Sequence, residues 1–418
     1  AFAAVFRNLG FNAQAHPAAD EDILKSGKTQ TLGKECLPMI LTTGMLLNTI
    51  GAKKEDEKVA FFMPTAHGPC RLGQYEIYMN DLITKLAIPD VAILPLSSGA
   101  GYAGMGGNAQ KGLWSSIVVS DAIEDVRSVI LANARDVDRG LEILEEEWSV
   151  IIAAMESDGF DSFKRAIASC SERLSTIPMK IPLEELPVIS LVGEIFVRRD
   201  SLSRRFITER LAASGFAVSC APVAEWVHYI DLLFKKGLLN TKMSAFEYLE
   251  TKIRRQLMGH IENRIQSTFK GSGLYHGETI SVDSIVAKAS PFISLDLAGE
   301  GILTVGNALR SIAHCACGVI SIGPFGCMQN RIAESILNKT MTREVKIAAC
   351  PESPELKTML AGLEYLPFLA IESDGMPFPQ IIEAKLETFL LQARRLHHRM
   401  LESVNGADLK RCEGSGAL

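Results

Sequence analysis

Val319-Ile320-Ser321-Ile322-Gly323-Pro324-Phe325-Gly326-Cys327-Met328-Gln329-Asn330 reads as a strand, a tight turn and the first residues of a helix. The strand is a short apolar run closed by Gly and Pro. The helix is expected over Gln329–Leu337. The same unit occurs earlier, where Val59–Met63 leads through His67-Gly68-Pro69-Cys70-Arg71 into a helix expected over Leu72–Lys85. Further apolar runs at Val91–Leu96, Val188–Val197, Phe216–Ala221, Val345–Ala349 and Phe368–Ile371 read as buried strands. Met39–Asn48, Leu113–Ile130, Ser201–Ser214 and Gly301–His314 read as helices between them. Strands alternating with helices predict an α/β fold of parallel sheets with helices on both faces.

Residues 132–182 carry no strand signal. Val137–Ala154 and Asp161–Leu174 read as two helices joined by Ser157-Asp158-Gly159, with Pro178 and Pro182 beyond them. The expected organisation is a first α/β lobe at 1–131, a helical connection at 132–185, and a second α/β lobe at 186–404. That second lobe contains a helical stretch, Ser244–Thr268, with a solvated charged face, and ends in a helix near Phe378–Ser403. A polar, Gly-rich tail over 405–418 is expected to be flexible. The chain starts without Met, inside an expected helix, so a strand or domain upstream is expected.

The chain has 418 residues, 47% of them hydrophobic, enough for substantial cores in one large or two medium domains. With 43 Lys and Arg against 49 Asp and Glu, the net charge is −6. That balance argues against nucleic acid or an anionic membrane as the main partner. No apolar run is long enough to span a bilayer, and no signal-peptide pattern is present. Nine cysteines, an odd number scattered along the chain, argue against a secreted disulfide framework. The expected location is the cytoplasm.

Three of those cysteines share a setting. Cys36 lies in Gly33-Lys34-Glu35-Cys36-Leu37-Pro38, Cys70 in Gly68-Pro69-Cys70-Arg71, and Cys327 in Gly323-Pro324-Phe325-Gly326-Cys327. Gly and Pro beside a thiol hold a tight turn and expose backbone N–H groups, which offset the charge of a metal thiolate. Each cysteine opens an expected helix, whose positive dipole end favours thiolate. Cys70 and Cys327 also follow strands, at the carboxyl ends where open α/β sheets bind ligands. Cys36 and Cys70 belong to the first lobe and Cys327 to the second, so a shared iron–sulfur centre would lie in the cleft between lobes. The bland alternative is three separately packed cysteines. No C-x-x-C pair supports a zinc finger, a ferredoxin-type cluster or thioredoxin chemistry.

Other residues carry weaker signals. Cys315 and Cys317 read as packing, with Cys317 a candidate further ligand. Cys220 and Cys350 end expected strands, whereas Cys170 and Cys412 have no supporting surroundings. His67, Arg71 and Glu35 are candidate catalytic groups, and Lys34 lies beside them. Arg71 reads equally as a structural partner. Glu194 and Glu225-Trp226 lie near strand ends and are candidates to line the cleft. Asp374-Gly375 reads as a turn into the last helix. Gly99-Ala100-Gly101-Tyr102-Ala103-Gly104 matches G-x-G-x-x-G after a strand, but no helix opens at its last glycine, so a lid or substrate loop is preferred to a dinucleotide site. No phosphate-binding G-x-x-x-x-G-K-[ST] and no acidic-Gly-Ser/Thr ATPase signature occurs.

Gly33-Lys34-Glu35-Cys36-Leu37-Pro38 with Leu41-Thr42-Thr43-Gly44, Gly68-Pro69-Cys70-Arg71-Leu72-Gly73-Gln74-Tyr75, Val192-Gly193-Glu194-Ile195-Phe196-Val197-Arg198 and Gly323-Pro324-Phe325-Gly326-Cys327-Met328 resemble the C-terminal region of acyl-CoA dehydratase activase-related proteins. That region is similar to subunits of 2-hydroxyacyl-CoA dehydratase and benzoyl-CoA reductase and to double-cubane cluster proteins. Ile371-Glu372-Ser373-Asp374-Gly375 and Glu383-Ala384-Lys385-Leu386-Glu387 fit as well, so the resemblance covers nearly the whole chain. It implies two flavodoxin-like lobes and a homodimer. It implies a [4Fe–4S] cluster on Cys36, Cys70 and Cys327 with one iron open, a double-cubane [8Fe–9S] cluster being the larger alternative. It further implies an ATPase activator with its own cluster and an acyl-CoA substrate, in anaerobic metabolism. The large activase proteins carry ATPase repeats upstream, which this chain lacks. Three readings follow: a low-potential oxidoreductase, a non-catalytic cluster-carrying relay or activator-docking module, and a metal-free nucleotide-dependent enzyme using Gly99–Gly104.

Overall fold

Two parallel sheets organise the chain. The structure, a computed structural model, describes residues 1–65, 68–97, 107–157, 160–238, 245–277 and 281–404. In the first sheet β1 (Val59–Thr65) pairs with β2 (Val91–Ser97), in register from Val59 opposite Val91. The second sheet holds β3 (Val188–Gly193), β4 (Ala217–Cys220), β5 (Gly318–Pro324) and β6 (Phe368–Ser373) in the order β4-β3-β5-β6. The chain steps outward from β3 to β4, then back across β3 to β5 and on to β6. This is the doubly wound order of flavodoxin-like sheets, whose reversal point lies between β3 and β5. The carboxyl ends of those two strands are therefore where a ligand crevice belongs.

β5 is buried along its whole length, as a parallel strand covered on both faces must be. Around the sheet Leu191, Ile320, Phe216, Leu309 and Phe389 form one core. A second core, with Leu113, Ile151, Phe163 and Ile265, lies among the helices Gly107–Asn133, Val137–Glu156, Phe160–Leu174 and Ala245–Lys270. A smaller one, with Leu46, Met63, Met79 and Ile93, belongs to β1 and β2. The helix Leu37–Ala52 serves two of these cores: Leu37, Ile40 and Leu41 join the large sheet's core, and Met39 and Leu46 the small one's. Its start, at Cys36, is thereby held between the two sheets. It also meets the helix Glu21–Thr29 backbone to backbone, since a Cβ at Gly27 would fall 2.0 Å from the Ile40 oxygen and one at Gly44 2.1 Å from the Ile23 oxygen.

The free edge of β4 is covered by one face of the helix Gly107–Asn133. Ser128 Oγ accepts the Val218 N–H at 2.6 Å and Asp125 accepts the Cys220 N–H at 3.4 Å. Asp121 accepts the Val223 and Ala224 N–H groups, both at 3.0 Å, at the start of the helix Ala224–Lys235. Positions 121, 125 and 128 recur at helical spacing, so one helix face replaces a missing strand and no edge N–H is left for aggregation. The sequence places this helix in the first lobe, yet it closes the sheet of the second.

Two expected strands differ in the structure. Val345–Ala349 lies in a helix, Arg343–Ala349, capped by Thr342, whose hydroxyl accepts the Val345 N–H at 3.3 Å. Helical geometry lets the buried Lys346 ammonium reach the Leu309 and Arg310 carbonyls at 2.9 and 3.1 Å. The run Val188–Val197 keeps strand geometry only to Gly193, where φ is +116° and a Cβ would strike the Ile322 oxygen. Past that glycine the chain turns, and Glu194 donates its N–H to Ile322 at 2.9 Å. The helix expected over Ser201–Ser214 is confined to Ile207–Ala213.

Candidate functional site

Each of the three cysteines singled out in the sequence is the residue that caps a helix. Cys36 precedes the helix Leu37–Ala52, Cys70 the 3-10 turn Arg71–Gln74 that runs into the helix Tyr75–Lys85, and Cys327 the helix Met328–Thr340. All three have extended backbone (φ −74°, −75° and −70°), as capping residues do. The Cys70 sulfur accepts the Leu72 N–H at 3.4 Å. The Met39 and Asn330 N–H dipoles act on the Cys36 and Cys327 sulfurs in the same sense without closing a full cap bond. A left-handed glycine stands on each approach: Gly33 at φ +78°, Gly68 at +117° and Gly326 at +70°.

Cys70 lies within electrostatic range of both Cys36 and Cys327. Burial pushes Cys70 up to about 11, with Glu300, Glu194 and Cys36 adding to the rise. Burial likewise pushes Cys327 up to about 12, with Glu300, Glu194 and Cys70 adding. Cys36 is raised by burial against the pull of the Tyr75 hydroxyl, which lies 2.6 Å from its sulfur. Arg71 ties two of the turns together by donating to the Lys34 carbonyl at 2.8 Å, and its charge lowers Cys36.

Two carboxylates lie within electrostatic range of these thiols. The turn after β3 presents three consecutive N–H groups. Those of Phe196 and Val197 bind the Glu194 carboxylate at 3.2 and 2.8 Å, and that of Ile195 faces Glu300. Burial is the largest influence on both acids and raises both. Glu300 is pushed up to about 8 by burial and by Glu194, against Arg198. The segment carrying Glu300 is fixed from both sides. Tyr229 donates to the Gly299 carbonyl at 3.0 Å, and Gln329, two residues past Cys327, accepts the Gly301 N–H at 3.4 Å. A Cβ at Gly68 would lie 3.4 Å from the Ala298 oxygen, so the Cys70 approach abuts this segment.

Behind Glu194 the buried Arg198 donates to the Gly193, Ala221 and Pro222 carbonyls at 2.6, 3.0 and 3.2 Å, clasping the ends of β3 and β4. It pairs with Glu225 at 3.0 Å, and Asn307 holds the other Glu225 oxygen at 2.5 Å.

Several expected site residues lie elsewhere. Cys317 stands at the amino end of β5, its sulfur donating to the Val188 carbonyl at 3.2 Å. The seven residues of β5 separate it from the Cys327 turn, on the order of 20 Å at the rise of a strand, so it does not join the three thiols. Cys350 follows the helix Arg343–Ala349 and contacts Lys288 at 3.4 Å. Cys170 and Cys220 are buried, and Cys315 lies in a turn rather than a helix. Glu35 folds back into its own loop, accepting the Leu32 and Lys34 N–H groups at 2.9 and 3.0 Å, which lower its carboxyl despite burial. Asp374 accepts the Met376 N–H at 2.9 Å, as a turn residue does. His67, Gly99–Gly104 and Cys412 lie outside the described residues. Sequence reasoning missed Tyr75 and Glu300. Tyr75 ends the Cys70 motif, whereas Glu300 has no local signal beyond a glycine on either side.

Among the described residues no three His, Cys, Asp or Glu side chains converge as one metal ion requires. An iron–sulfur cluster takes its thiolates on separate irons, so its ligands stand apart around it. Three thiols on three helix starts, each with a backbone N–H directed toward it, have that character. Compared with known proteins, the chain matches no family model, no curated protein and no solved structure.

Proposed function

We propose that Cys36, Cys70 and Cys327 hold an iron–sulfur cluster of the [4Fe–4S] type, with one iron left open, and that the protein is a low-potential oxidoreductase component. The observation that carries this reading is the three cysteines capping three helical starts, Cys70 and Cys327 beyond the carboxyl ends of β1 and β5, with Cys70 in electrostatic reach of both others. When bound, the cluster would supply one-electron transfer and a Lewis-acidic iron.

The chain's own groups set the terms of that chemistry. The Leu72, Met39 and Asn330 N–H dipoles favour the thiolates, as does the Tyr75 hydroxyl on Cys36. Glu194, and Glu300 once it ionises, oppose negative charge at the thiols, which drives a cluster toward low potential. Glu300, pushed up to about 8, holds a proton at neutral pH near the thiols. Arg198 fixes the turn that carries Glu194 and whose Ile195 N–H faces Glu300.

The substrate class follows from the resemblance of the cysteine motifs: a small acyl thioester, reduced or dehydrated with electrons from an ATPase activator that carries its own cluster. A homodimer belongs to the same proposal. The decisive test is anaerobic purification and reconstitution, with iron and sulfide counts, an absorption spectrum and EPR after reduction. About four irons and four sulfides per chain are expected for a single cubane. A colourless, iron-free protein after reconstitution would sink the reading. A cluster signal that acyl thioesters leave undisturbed would favour the relay module.

A further inference from the structure

A cavity of about 300 Å³ is walled in part by β3, β4 and the helix Gly107–Asn133, and none of the three cysteines lines it. That is the small end of the range for ligand sites. Lys270 and Glu355 on its lining are exposed, so it opens to solvent. Ser190 of β3 also lines it, although the interior faces of a parallel sheet are normally apolar. This serine is only 7% exposed, and its hydroxyl has no hydrogen-bond partner among the described residues. A buried hydroxyl that opens into a cavity without a partner is a group awaiting one.

The charge on the wall is mainly acidic. Among the described residues five carboxylates line the cavity, against one lysine and one arginine. The lysine is the exposed Lys270, and the arginine, Arg310, is already engaged. Most of the acids are engaged as well. Arg198 takes Glu225 at 3.0 Å, and Arg199 takes Asp121 at 2.7 Å. Arg204 takes Glu124 and Arg127 takes Glu209, both at 2.9 Å, so no arginine of this group is left over. Glu262 is held by His228 at 2.7 Å and Gln266 at 3.3 Å. Asp125 is the inner acid without an ion pair among the described residues, its one hydrogen bond being the long one from the Cys220 N–H at 3.4 Å. Burial pushes it up to about 7, with Arg199 opposing. An inner carboxylate without a cation favours a cationic head. Asp125 meets β4 at Cys220, and Ser190 lies on β3, paired with the neighbouring residue of β4. One strand spacing, about 5 Å, therefore separates the two anchors, which suits an ammonium and a hydroxyl a few bonds apart. Val118, Val188 and Leu356 provide apolar wall for the carbons between them.

We propose that this cavity binds a short amino alcohol as its ammonium, with the charged nitrogen at the Asp125 carboxylate and the hydroxyl at Ser190. The site owes nothing to the three cysteines, so its occupancy is independent of any cluster.

The experiment is isothermal titration and thermal-shift measurement on the full chain at constant ionic strength, at a pH above the Asp125 value so that the carboxylate is ionised. The probes are ethanolamine and 3-aminopropan-1-ol, the alkylamines that lack their hydroxyl, the diols that lack their ammonium, and magnesium ion. An amino alcohol is expected to bind saturably and to raise the unfolding midpoint. The alkylamine should bind about fivefold more weakly, a loss of one hydrogen-bonded hydroxyl, and the diol should be silent. Asp125→Asn keeps an acceptor for the Cys220 N–H and should weaken binding by at least about tenfold, as loss of a charge-assisted contact does. Ser190→Ala, a change too small to threaten folding, should erase the difference between amino alcohol and alkylamine. Iron and sulfide content should stay at the wild-type level in both variants. No saturable binding by either amino alcohol overturns the proposal. So does magnesium or a diol binding as tightly as the amino alcohols, and so does unaltered binding in Asp125→Asn or Ser190→Ala.

Discussion

The Tyr75 hydroxyl lies 2.6 Å from the Cys36 sulfur, and both side chains are buried, at 3% and 9% exposure. Burial and the neighbouring thiol push the phenol well above its ordinary value, so Tyr75 stays protonated and can act as donor. A hydrogen bond to a thiolate ligand strengthens as negative charge grows, so it stabilises the reduced cluster more than the oxidised one and raises the potential. Tyr75→Phe keeps the ring's packing and removes the donor. The expected outcome is wild-type iron content with a more negative reduction potential. The shift should be on the order of 50 mV if about 1 kcal/mol of the bond differs between oxidation states. Anaerobic redox titration followed by EPR measures it, and an unchanged potential would remove Tyr75 from the site.

Cys36→Ser, Cys70→Ser and Cys327→Ser are each expected to lose most of the bound iron, because each removes one of three thiolates. Cys317→Ser and Cys350→Ser should keep it: the first lies at the far end of β5 and the second beside Lys288. Iron and sulfide counts after identical reconstitution decide the matter. Circular dichroism separates lost ligation from lost folding. Equal iron in all five variants would show that the three helix caps are structural.

The parts of this site that are legible in the sequence are those carried by neighbouring residues. Gly326 before Cys327 and Gly68 before Cys70 mark turns, and the apolar runs before them mark β5 and β1. Glu300 is not legible, because what sets it beside the thiols is the Ile195 N–H and the Gln329 amide, from elements distant in sequence. Val345–Ala349 reads as a strand because five mainly apolar residues fit either geometry. The choice falls to Thr342, which caps a helix there, and to the Lys346 bonds with two carbonyls of another helix. The helix Gly107–Asn133 reads correctly as a helix, but nothing local says that Asp121, Asp125 and Ser128 will meet the edge of β4.

Arg198 and Glu225 form an ion pair with side-chain exposures of 3% and 1%. Removing one member strands the other charge in the interior, which costs about 3–5 kcal/mol, whereas removing both is far milder. Arg198→Met is therefore expected to lower the unfolding free energy by about that amount. Arg198→Met combined with Glu225→Gln should recover a large part of it, although the Gly193, Ala221 and Pro222 carbonyls still lose their donor. Urea unfolding of the single and double variants gives the coupling directly. A double variant as unstable as the sum of its single changes would mean that the carbonyl bonds, not the charge pair, dominate.

Asp125 gives the molecule a pH dependence with a defined sign. Burial raises its carboxyl to about 7, with Arg199 opposing and Asp121 and Glu124 adding to the rise. In the unfolded chain it ionises near 3.8, the ordinary value. Between those two values the folded protein keeps a proton that the unfolded chain has released. Its contribution is therefore full below about pH 4 and lost progressively as pH rises toward about 7. Asp125→Asn removes the titrating group and keeps a side-chain oxygen to accept the Cys220 N–H. The variant should show a flatter stability profile than the wild type between pH 5 and pH 7, approaching it most closely at the acid end. Urea midpoints at several pH values test this. A wild-type slope retained in full by the variant would assign the dependence to another raised acid such as Glu334, which burial pushes to about 7.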